Sequence, residues 1–440
     1  MKNVVLFLLS FISLHAISQK QMELDSIVLQ FQKANLFNGT VLVAKEGKVV
    51  FHKGYGFSNA ADKKQNDINT IFQIGSVTKQ FTAAAIMKLQ EQKKLSINDY
   101  IGKYFPDLMG GDSITIQHLL THRSGLYNYT DDTSMWYGKL SKEKLIDYTN
   151  KRSALFKPGA KMQYNNTGYA LLGFLIEKLS GKRYERYIRD NFFKPLKMTS
   201  SGFDFANLIS AQKATGYYDN GTTFMQARIV DSTVSYAAGA IYSTTGDMLK
   251  WSGALLGQKI IKPASWKMMT TDHSEKYGYG LVIDSVAGEK NIWHNGGLDG
   301  FVSTFYNLPK QKITIVVLSN YMQSNTMRVA TALAAAVLNK PYELPKTRTE
   351  ISLSTETLQQ YVGKYQLLPT FAITVTLEDG KLMAQATGQQ KFQIYAEKEA
   401  FFFYKVVDAQ LEFLKDNNGI VTEMILHQNG MKQKAKKVNQ

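Results

Sequence analysis

Apolar and polar positions recur along this chain in three different rhythms, and the changes between them divide it. Thr40 to Ala44 and Val49 to His52 are short apolar runs on either side of Lys45-Glu46-Gly47-Lys48, the signature of a hairpin closed by a glycine turn and the start of an antiparallel sheet. From Ser76 to about Phe193 the spacing becomes helical, in Leu140 to Tyr148, Tyr169 to Leu179 and Tyr184 to Phe193, with breaks at Pro158-Gly159 and Ser180-Gly181. After Gly239 the pattern predicts a helix over Thr245 to Leu256, strands over Gly300 to Asn307 and Lys312 to Ser319, and a helix from Thr326 to Asn339. Strands at both ends of the sequence with helices between them predict an α+β fold. Its antiparallel sheet would be flanked by helices and a mainly helical subdomain, with a cleft where the parts meet.

A linker over residues 341–355 carries two of the eight prolines and several charges. Beyond it, residues 356–440 alternate strand-like runs with turn signals at Glu378-Asp379-Gly380, Asp416-Asn417-Asn418-Gly419 and Asn429-Gly430, which predicts a small all-β domain with a barrel as one of its forms. At the other end, a charged start and an apolar stretch from Val4 to Ile17, broken by Ser10, Ser13 and His15, are too short to span a bilayer. With Ala16 and Ser18 at the small positions, residues 1–18 are expected to be a secretory leader cleaved near Ser18-Gln19. The main domain would then be residues 19–340, working in the periplasm or outside the cell with no integral membrane segment left.

The composition narrows this further. A chain of 440 residues with 44% hydrophobic content can bury a large core. It has no cysteine, which excludes a disulfide frame, a thiolate nucleophile and a cysteine-held metal. With 52 Lys plus Arg against 36 Asp plus Glu, the net charge of +16 favours anionic polymers. Only Lys432, Lys434, Lys436 and Lys437 form a basic block, and no aromatic residues interleave with it, so nucleic acid is not an expected partner.

The candidate chemistry begins at Ser76 and Lys79, in Gln73-Ile74-Gly75-Ser76-Val77-Thr78-Lys79-Gln80-Phe81. Residues i and i+3 share a helix face, and a hydroxyl needs a neighbour to take its proton before it becomes a nucleophile. Three Ser-x-x-Lys spacings occur. Ser141 to Lys144 is a charged segment that reads as a capped, solvated helix start, and Ser210 to Lys213 lies among polar residues. Only Ser76 leads into an apolar run, Phe81 to Met87, where burial would disfavour the lysine's ammonium form. The second candidate is Tyr164-Asn165-Asn166, which follows Lys157-Pro158-Gly159 and precedes a helix; Tyr148-Thr149-Asn150 falls inside a helix and Tyr218-Asp219-Asn220 in a turn. The third is His294-Asn295-Gly296-Gly297, where paired glycines let a substrate approach a strand edge.

Serine-x-x-lysine, then tyrosine-x-asparagine, then a basic residue-x-glycine, in that order, resembles the serine β-lactamase and penicillin-binding-protein superfamily. The branch it is similar to holds class C β-lactamases, D-Ala-D-Ala carboxypeptidases and related esterases. The resemblance extends through Ile114 to Leu126 and Ala238 to Thr244. It implies that Ser76 forms an acyl-enzyme, that Lys79 and Tyr164 manage its proton, and that Asn166 holds the substrate's amide. His294 would contact the leaving side or a carboxylate, and the backbone N–H groups of Ser76 and Gly297 would form the oxyanion hole. An ammonium about 4 Å from a phenolate would lower a tyrosine pKa from about 10 towards roughly 7; a neutral lysine is the competing picture, and the sequence leaves both open.

Histidine at 294, where typical class C β-lactamases have lysine, directs the expectation towards peptide or ester hydrolysis. No Gly-x-Ser-x-Gly, His-Glu-x-x-His or His-x-His-x-Asp run occurs, so neither an α/β-hydrolase nor a metal enzyme is expected, and no cofactor is called for. The expected function is an exported serine hydrolase acting on D-amino-acid peptides, β-lactams or small esters, with a small molecule or peptidoglycan fragment as its partner. The alternative is a non-catalytic wall-binding or sensor protein that keeps the fold. The C-terminal domain's role stays open between covering the cleft, narrowing substrate choice, mediating oligomerisation and an inert appendage.

Overall fold

The computed structural model describes residues 2–219, 224–345, 348–428 and 431–438, with side chains from Ser18 onward except that of Phe224. The side chains of Met1 to Ile17, on which the leader expectation rests, lie outside the described residues, as do Asn220-Gly221 and the turn at Asn429-Gly430. Two compact units emerge. The larger gathers Met1–Gln32, Phe37–Gly216 and Ala227–Leu344; the smaller gathers Lys33–Leu36, Tyr217–Gln226 and Pro345–Gln440.

In the larger unit, helix α1 (Lys2–Lys33) is followed by strands β1 (Gly39–Lys45) and β2 (Lys48–Tyr55), the predicted hairpin. Helices α2 (Thr78–Glu91), α3 (Ile116–Leu120), α4 (Lys142–Asn150), α5 (Asn166–Ser180), α6 (Tyr184–Ile188), α7 (Ser232–Gly239), α8 (Thr245–Leu256) and α9 (Pro263–Met269) come next. Strands β3 (Val282–Val286), β4 (Glu289–Leu298), β5 (Phe301–Leu308) and β6 (Ile313–Ser319) then complete the sheet before helix α10 (Thr326–Val337). The sheet order is β2-β1-β6-β5-β4-β3, with every pair antiparallel. This is the α+β architecture expected from the split of strands to the two ends of the sequence.

Both faces of the sheet are covered, which explains why β6 is buried at every position and carries the apolar run Ile315 to Leu318. Alternation along β5 separates the two faces. Thr304 and Tyr306 meet Thr326 and Thr331 of α10 at 2.9 and 3.4 Å, whereas Ser303 and Asn307 turn the other way, to Ile74 at 2.8 Å and to Ser252 of α8. Behind that second face Phe81 of α2 stacks on Trp251 of α8 with ring centroids 3.8 Å apart, and Trp251 Nε1 donates to Gln80 Oε1 at 3.0 Å. The helix carrying Ser76 and Lys79 is thereby held against the sheet. Helix α5 stops where the sequence predicts, since Gly181 takes φ +68, a left-handed C-terminal residue that glycine adopts without strain.

The pattern does not predict β3 or α9. Strand β3 carries Asp284 and Ser285 at the sheet's edge and buries only Val286 fully, so it lacks the apolar repeat that marks the central strands.

The smaller unit is built on a closed barrel of eight antiparallel strands, from Gly363–Leu368 to Met431–Val438, in which the first strand pairs with the last through Lys364 and Val438. Its interior is filled rather than hollow: Tyr361, Tyr365, Phe402, Leu411, Phe413 and Met424 pack together. Between Leu411 and Phe413, Glu412 points outward to His427 at 2.8 Å, the period-2 alternation of a barrel wall. Among the described residues, no helix is long and apolar enough to cross a membrane.

Candidate active site

Ser76 lies in a 3-10 turn, Gly75–Val77, that runs into α2. Gly75 takes φ +52 and packs so closely on β4 that a Cβ there would sit 2.6 Å from the Gly297 nitrogen. The turn is pinned from three sides: Ile74 N donates to Ile241 O at 3.0 Å, Ser303 Oγ to Ile74 O at 2.8 Å, and Ile241 N to Thr78 Oγ1 at 3.1 Å. The serine hydroxyl is thus presented at a fixed point between helix and sheet edge.

Lys79 is fully buried. Its Nζ lies 3.1 Å from Ser76 Oγ, 2.7 Å from Asn166 Oδ1 and 2.9 Å from the Ala238 carbonyl oxygen. Burial pushes its pKa well below the ordinary lysine value. A neutral amine has two N–H donors and one lone pair and an ammonium three N–H donors, and three oxygen partners accommodate either; it is the burial that selects the neutral form. Two carbonyl oxygens accept from the amine, and the hydroxyl can donate to its lone pair.

The Ala238 carbonyl owes its position to a break inside α7, where Tyr236 has φ +36 and ψ −135. Past this kink, Ala237 O accepts from Thr82 Oγ1 at 2.6 Å and Ala238 O from Lys79. A non-glycine residue in so sparse a region is the kind of stored strain that gathers at functional sites.

Tyr164, Asn165 and Asn166 divide their labour. Asn165 caps α5, its Oδ1 accepting from Gly168 N at 2.9 Å and its Nδ2 donating to Leu126 O at 2.7 Å. That fixes its neighbours on the cleft side. Asn166 accepts from Lys79 and donates through Nδ2 to Thr130 Oγ1 at 2.8 Å, so its amide is already oriented. The Tyr164 ring centroid is 4.8 Å from Lys79 Nζ. Although Tyr164 is 38% exposed, the chain packed around its phenol raises the pKa, with the hydrogen bond to Ser76 acting in the opposite sense. Of the two pictures the sequence left open, the burial of both groups favours the neutral lysine. The tyrosine is not drawn towards 7, because the burial that raises it also discharges the amine meant to lower it.

His294 sits differently from the expectation that it contacts a leaving group or carboxylate. It is 2% exposed, with Nδ1 2.6 Å from Asn295 O and Nε2 3.0 Å from the Tyr277 hydroxyl. Nδ1 then donates and Nε2 accepts, so both nitrogens are occupied within the chain. Burial above all pushes its pKa down to about 3, so it is neutral at any ordinary pH. The paired glycines also separate. A Cβ on Gly296 would lie 2.0 Å from Ile74 O, whereas one on Gly297 would meet nothing within 4 Å. Gly296 is required by packing, and Gly297 borders open space.

Two residues the sequence reading assigned no role complete the floor. His122, 1% exposed and with φ +57, lays its ring 4.3 Å from that of Tyr164 and 4.7 Å from that of Tyr277. Its Nδ1 is 3.0 Å from Asn165 N, and its carbonyl accepts from Gln163 N at 2.9 Å, so it grips both neighbours of Tyr164. His122 lies within the stretch that carries the resemblance; Tyr277 had no signal, since its role depends on a fold-generated contact. The other two Ser-x-x-Lys spacings are structural. Ser141 Oγ accepts from Lys144 N at 3.1 Å as the cap of α4, and Lys213 reaches the Ala206 carbonyl at 3.1 Å on the surface.

Beside Ser76 opens a cavity of about 310 Å³. Asn166, Gly297 and Gly239 border it, with Trp136, Val234 and Met322 among its walls. Ser235 also lines it, a residue 8% exposed whose buried Oγ has no hydrogen-bond partner, a state that costs about 1–3 kcal/mol if left unfilled.

Comparison with known proteins gives two family matches: residues 24–340 to a family described as Beta-lactamase, and residues 347–438 to one described as Domain of unknown function (DUF3471). A penicillin-binding protein of Bacillus subtilis (strain 168) is 27% identical over 94% of this chain and 98% of its own. Among solved structures, the octameric penicillin-binding protein homologue from Pyrococcus abyssi has a TM-score of 0.66 and 27% identity, covering 94% of this chain and 99% of that one. The D-amino acid amidase from Ochrobactrum anthropi SV3 has a TM-score of 0.65 and 20% identity, covering 74% and 99% respectively, a likeness of fold.

Proposed function

The chain belongs to the β-lactamase family of serine hydrolases related to penicillin-binding proteins, and from that premise we propose an enzyme that works through a Ser76 acyl-enzyme on D-amino-acid peptides, β-lactams or small esters. The observation that carries this is the lysine's surroundings: two carbonyl acceptors at 2.7 and 2.9 Å and the Ser76 hydroxyl at 3.1 Å. Lys79 takes the proton from Ser76 Oγ as the Oγ–carbon bond forms. The carbonyl oxygen gains the negative charge, facing the backbone N–H groups of Ser76 and Gly297, each such donor being worth roughly 10²- to 10³-fold in rate. As the bond to the leaving atom breaks, Tyr164 gives that atom its hydroxyl proton and is reprotonated from Lys79. Water then repeats the sequence in reverse, its proton going to the same pair, and releases the acid.

His294, neutral and bonded to Tyr277, serves in this reading to hold the floor under Tyr164. Asn166 orients Lys79 and offers its remaining N–H to the substrate. Export is part of the proposal. Lys20, just past the expected cleavage near Ser18-Gln19, is anchored to Ala336 O and Asn339 Oδ1, both at 2.9 Å, so the folded domain includes the residues that would follow such a cut. The octameric homologue makes self-association a fitting expectation for this chain too.

Mass spectrometry after exposure to a fluorophosphonate and to a labelled penicillin tests the proposal. One covalent adduct, located on Ser76 and absent from Ser76→Ala, is expected. Folded protein that takes up neither reagent would favour a non-catalytic wall-binding protein.

A further inference from the structure

The cavity beside Ser76 has a composition that the hydrolase reading does not use. Its side walls are Trp136, Val230, Val234, Leu298 and Met322, and at about 310 Å³ it falls at the small end of pockets that hold small molecules. Among the described residues that line it, only Asp299 bears a formal charge, and that charge is negative. The nearest guanidinium, Arg228, is bound to Asp299 with Nε 2.5 Å from Oδ2 and lies against the rings of Trp136 and Tyr137 at 5.3 and 4.8 Å. A carboxylate entering this cavity would meet an acid, a paired arginine and apolar walls. His294, neutral and bonded elsewhere, supplies no cation.

The cavity also has a side. It is bordered by Ser76, Asn166 and Gly297 but by neither Tyr164 nor Lys79. A residue that hands a proton to the leaving atom must lie beside that atom, so the leaving group occupies the Tyr164 side and the cavity faces the other half of the substrate. Ser235, whose buried hydroxyl has no hydrogen-bond partner, is among its lining residues.

We propose that this cavity is the acyl subsite and that the enzyme takes uncharged apolar acyl groups of about one aromatic ring, with Trp136 as the wall that selects them and Asp299 as the residue that turns away acyl carboxylates. The inference rests on the serine hydrolase reading and names the substrate class of that same site. A hydrophobic pocket separates substrates differing by small apolar groups about 10- to 200-fold, which sets the scale of the test.

The experiment measures kcat/KM of the full-length protein on p-nitrophenyl acetate, valerate, phenylacetate and hemisuccinate. The proposal expects phenylacetate to exceed acetate at least about tenfold, and hemisuccinate to fall at least about tenfold below valerate, its uncharged counterpart in length. Trp136→Ala, in a half-exposed position, should shrink the phenylacetate-to-acetate ratio about tenfold. Asp299→Asn leaves Arg228 unpaired and should raise the hemisuccinate-to-valerate ratio by a similar factor. Equal rates across the four esters, all lost in Ser76→Ala, would overturn the subsite and leave the hydrolase standing; so would ratios that neither variant moves. No ester turnover together with no fluorophosphonate adduct would overturn the hydrolase reading and the subsite with it.

Discussion

Lys79 shows how one residue's environment sets its chemistry. Below the ordinary lysine value of 10.5 the unfolded chain keeps this amine protonated, while burial makes the folded chain release the proton. The folded state therefore binds fewer protons, and stability rises with pH from the depressed folded pKa up to 10.5. Lys79→Met lacks this term. The unfolding free energy of the wild type relative to Lys79→Met should accordingly rise by up to about 1.4 kcal/mol per pH unit between about pH 7 and 9.5, as read from urea titrations of both proteins. A flat difference would mean that Lys79 folds as an ammonium, and the base would have to be sought elsewhere. At this scale the sequence singled out Ser76, Lys79, Tyr164 and Asn166, because each pair is only two or three residues apart and its flanking residues announce a helix start or a cap, and the fold brings the four side chains together. His122 and Tyr277 stayed hidden: they reach Tyr164 from positions 42 residues before it and 113 after it, through packing no local pattern encodes. His294 was singled out for a substrate contact, but its spacing marks only the strand and does not tell that its nitrogens meet Tyr277 and Asn295.

Between single residues and the whole stands the meeting of strand β4 with the Gly75–Val77 turn, which sets the distance from sheet edge to nucleophile. Gly296 faces Ile74 O across that joint, and Gly297 faces open space. Gly296→Ala should force the two backbones apart, lowering stability by about 1–3 kcal/mol and cutting Ser76 acylation, whereas Gly297→Ala should melt within about 0.5 kcal/mol of the wild type. Thermal melts with fluorophosphonate labelling rates compare them; equal behaviour of the two variants would refute the joint as drawn. Most elements were legible because their periodicity matches their burial: α8 falls on Thr245–Leu256 as predicted, and β5 and β6 lie within one residue of expectation. The kink of α7 at Tyr236 was not, since its residues are compatible with an unbroken helix and only the carbonyls needed by Thr82 and Lys79 explain the break.

At the scale of the whole molecule, the described residues include an apolar core around α2, α5 and the sheet and a separate one inside the barrel. Chains with separate cores depart from all-or-none unfolding; the change in composition suggests a linker over residues 341–355, and the units divide at Leu344 and Pro345. The sequence did not reveal that the smaller unit also claims Lys33–Leu36 and Tyr217–Gln226, two short pieces whose membership depends on contacts far away in the chain. The hydrogen-bond partners of Ser76, Lys79, Tyr164 and Asn166 identified above all belong to the larger unit. A covalent acyl group on Ser76 should therefore stabilise that unit alone, since a ligand raises the stability only of the folded state it binds. Scanning calorimetry of the intact protein is expected to resolve two transitions, with fluorophosphonate labelling raising one by several degrees and leaving the other in place. Should a single transition appear and shift as a whole, the chain segments shared between the units would be coupling them tightly enough to unfold together, and the barrel would have to be counted as part of what keeps the nucleophile in position.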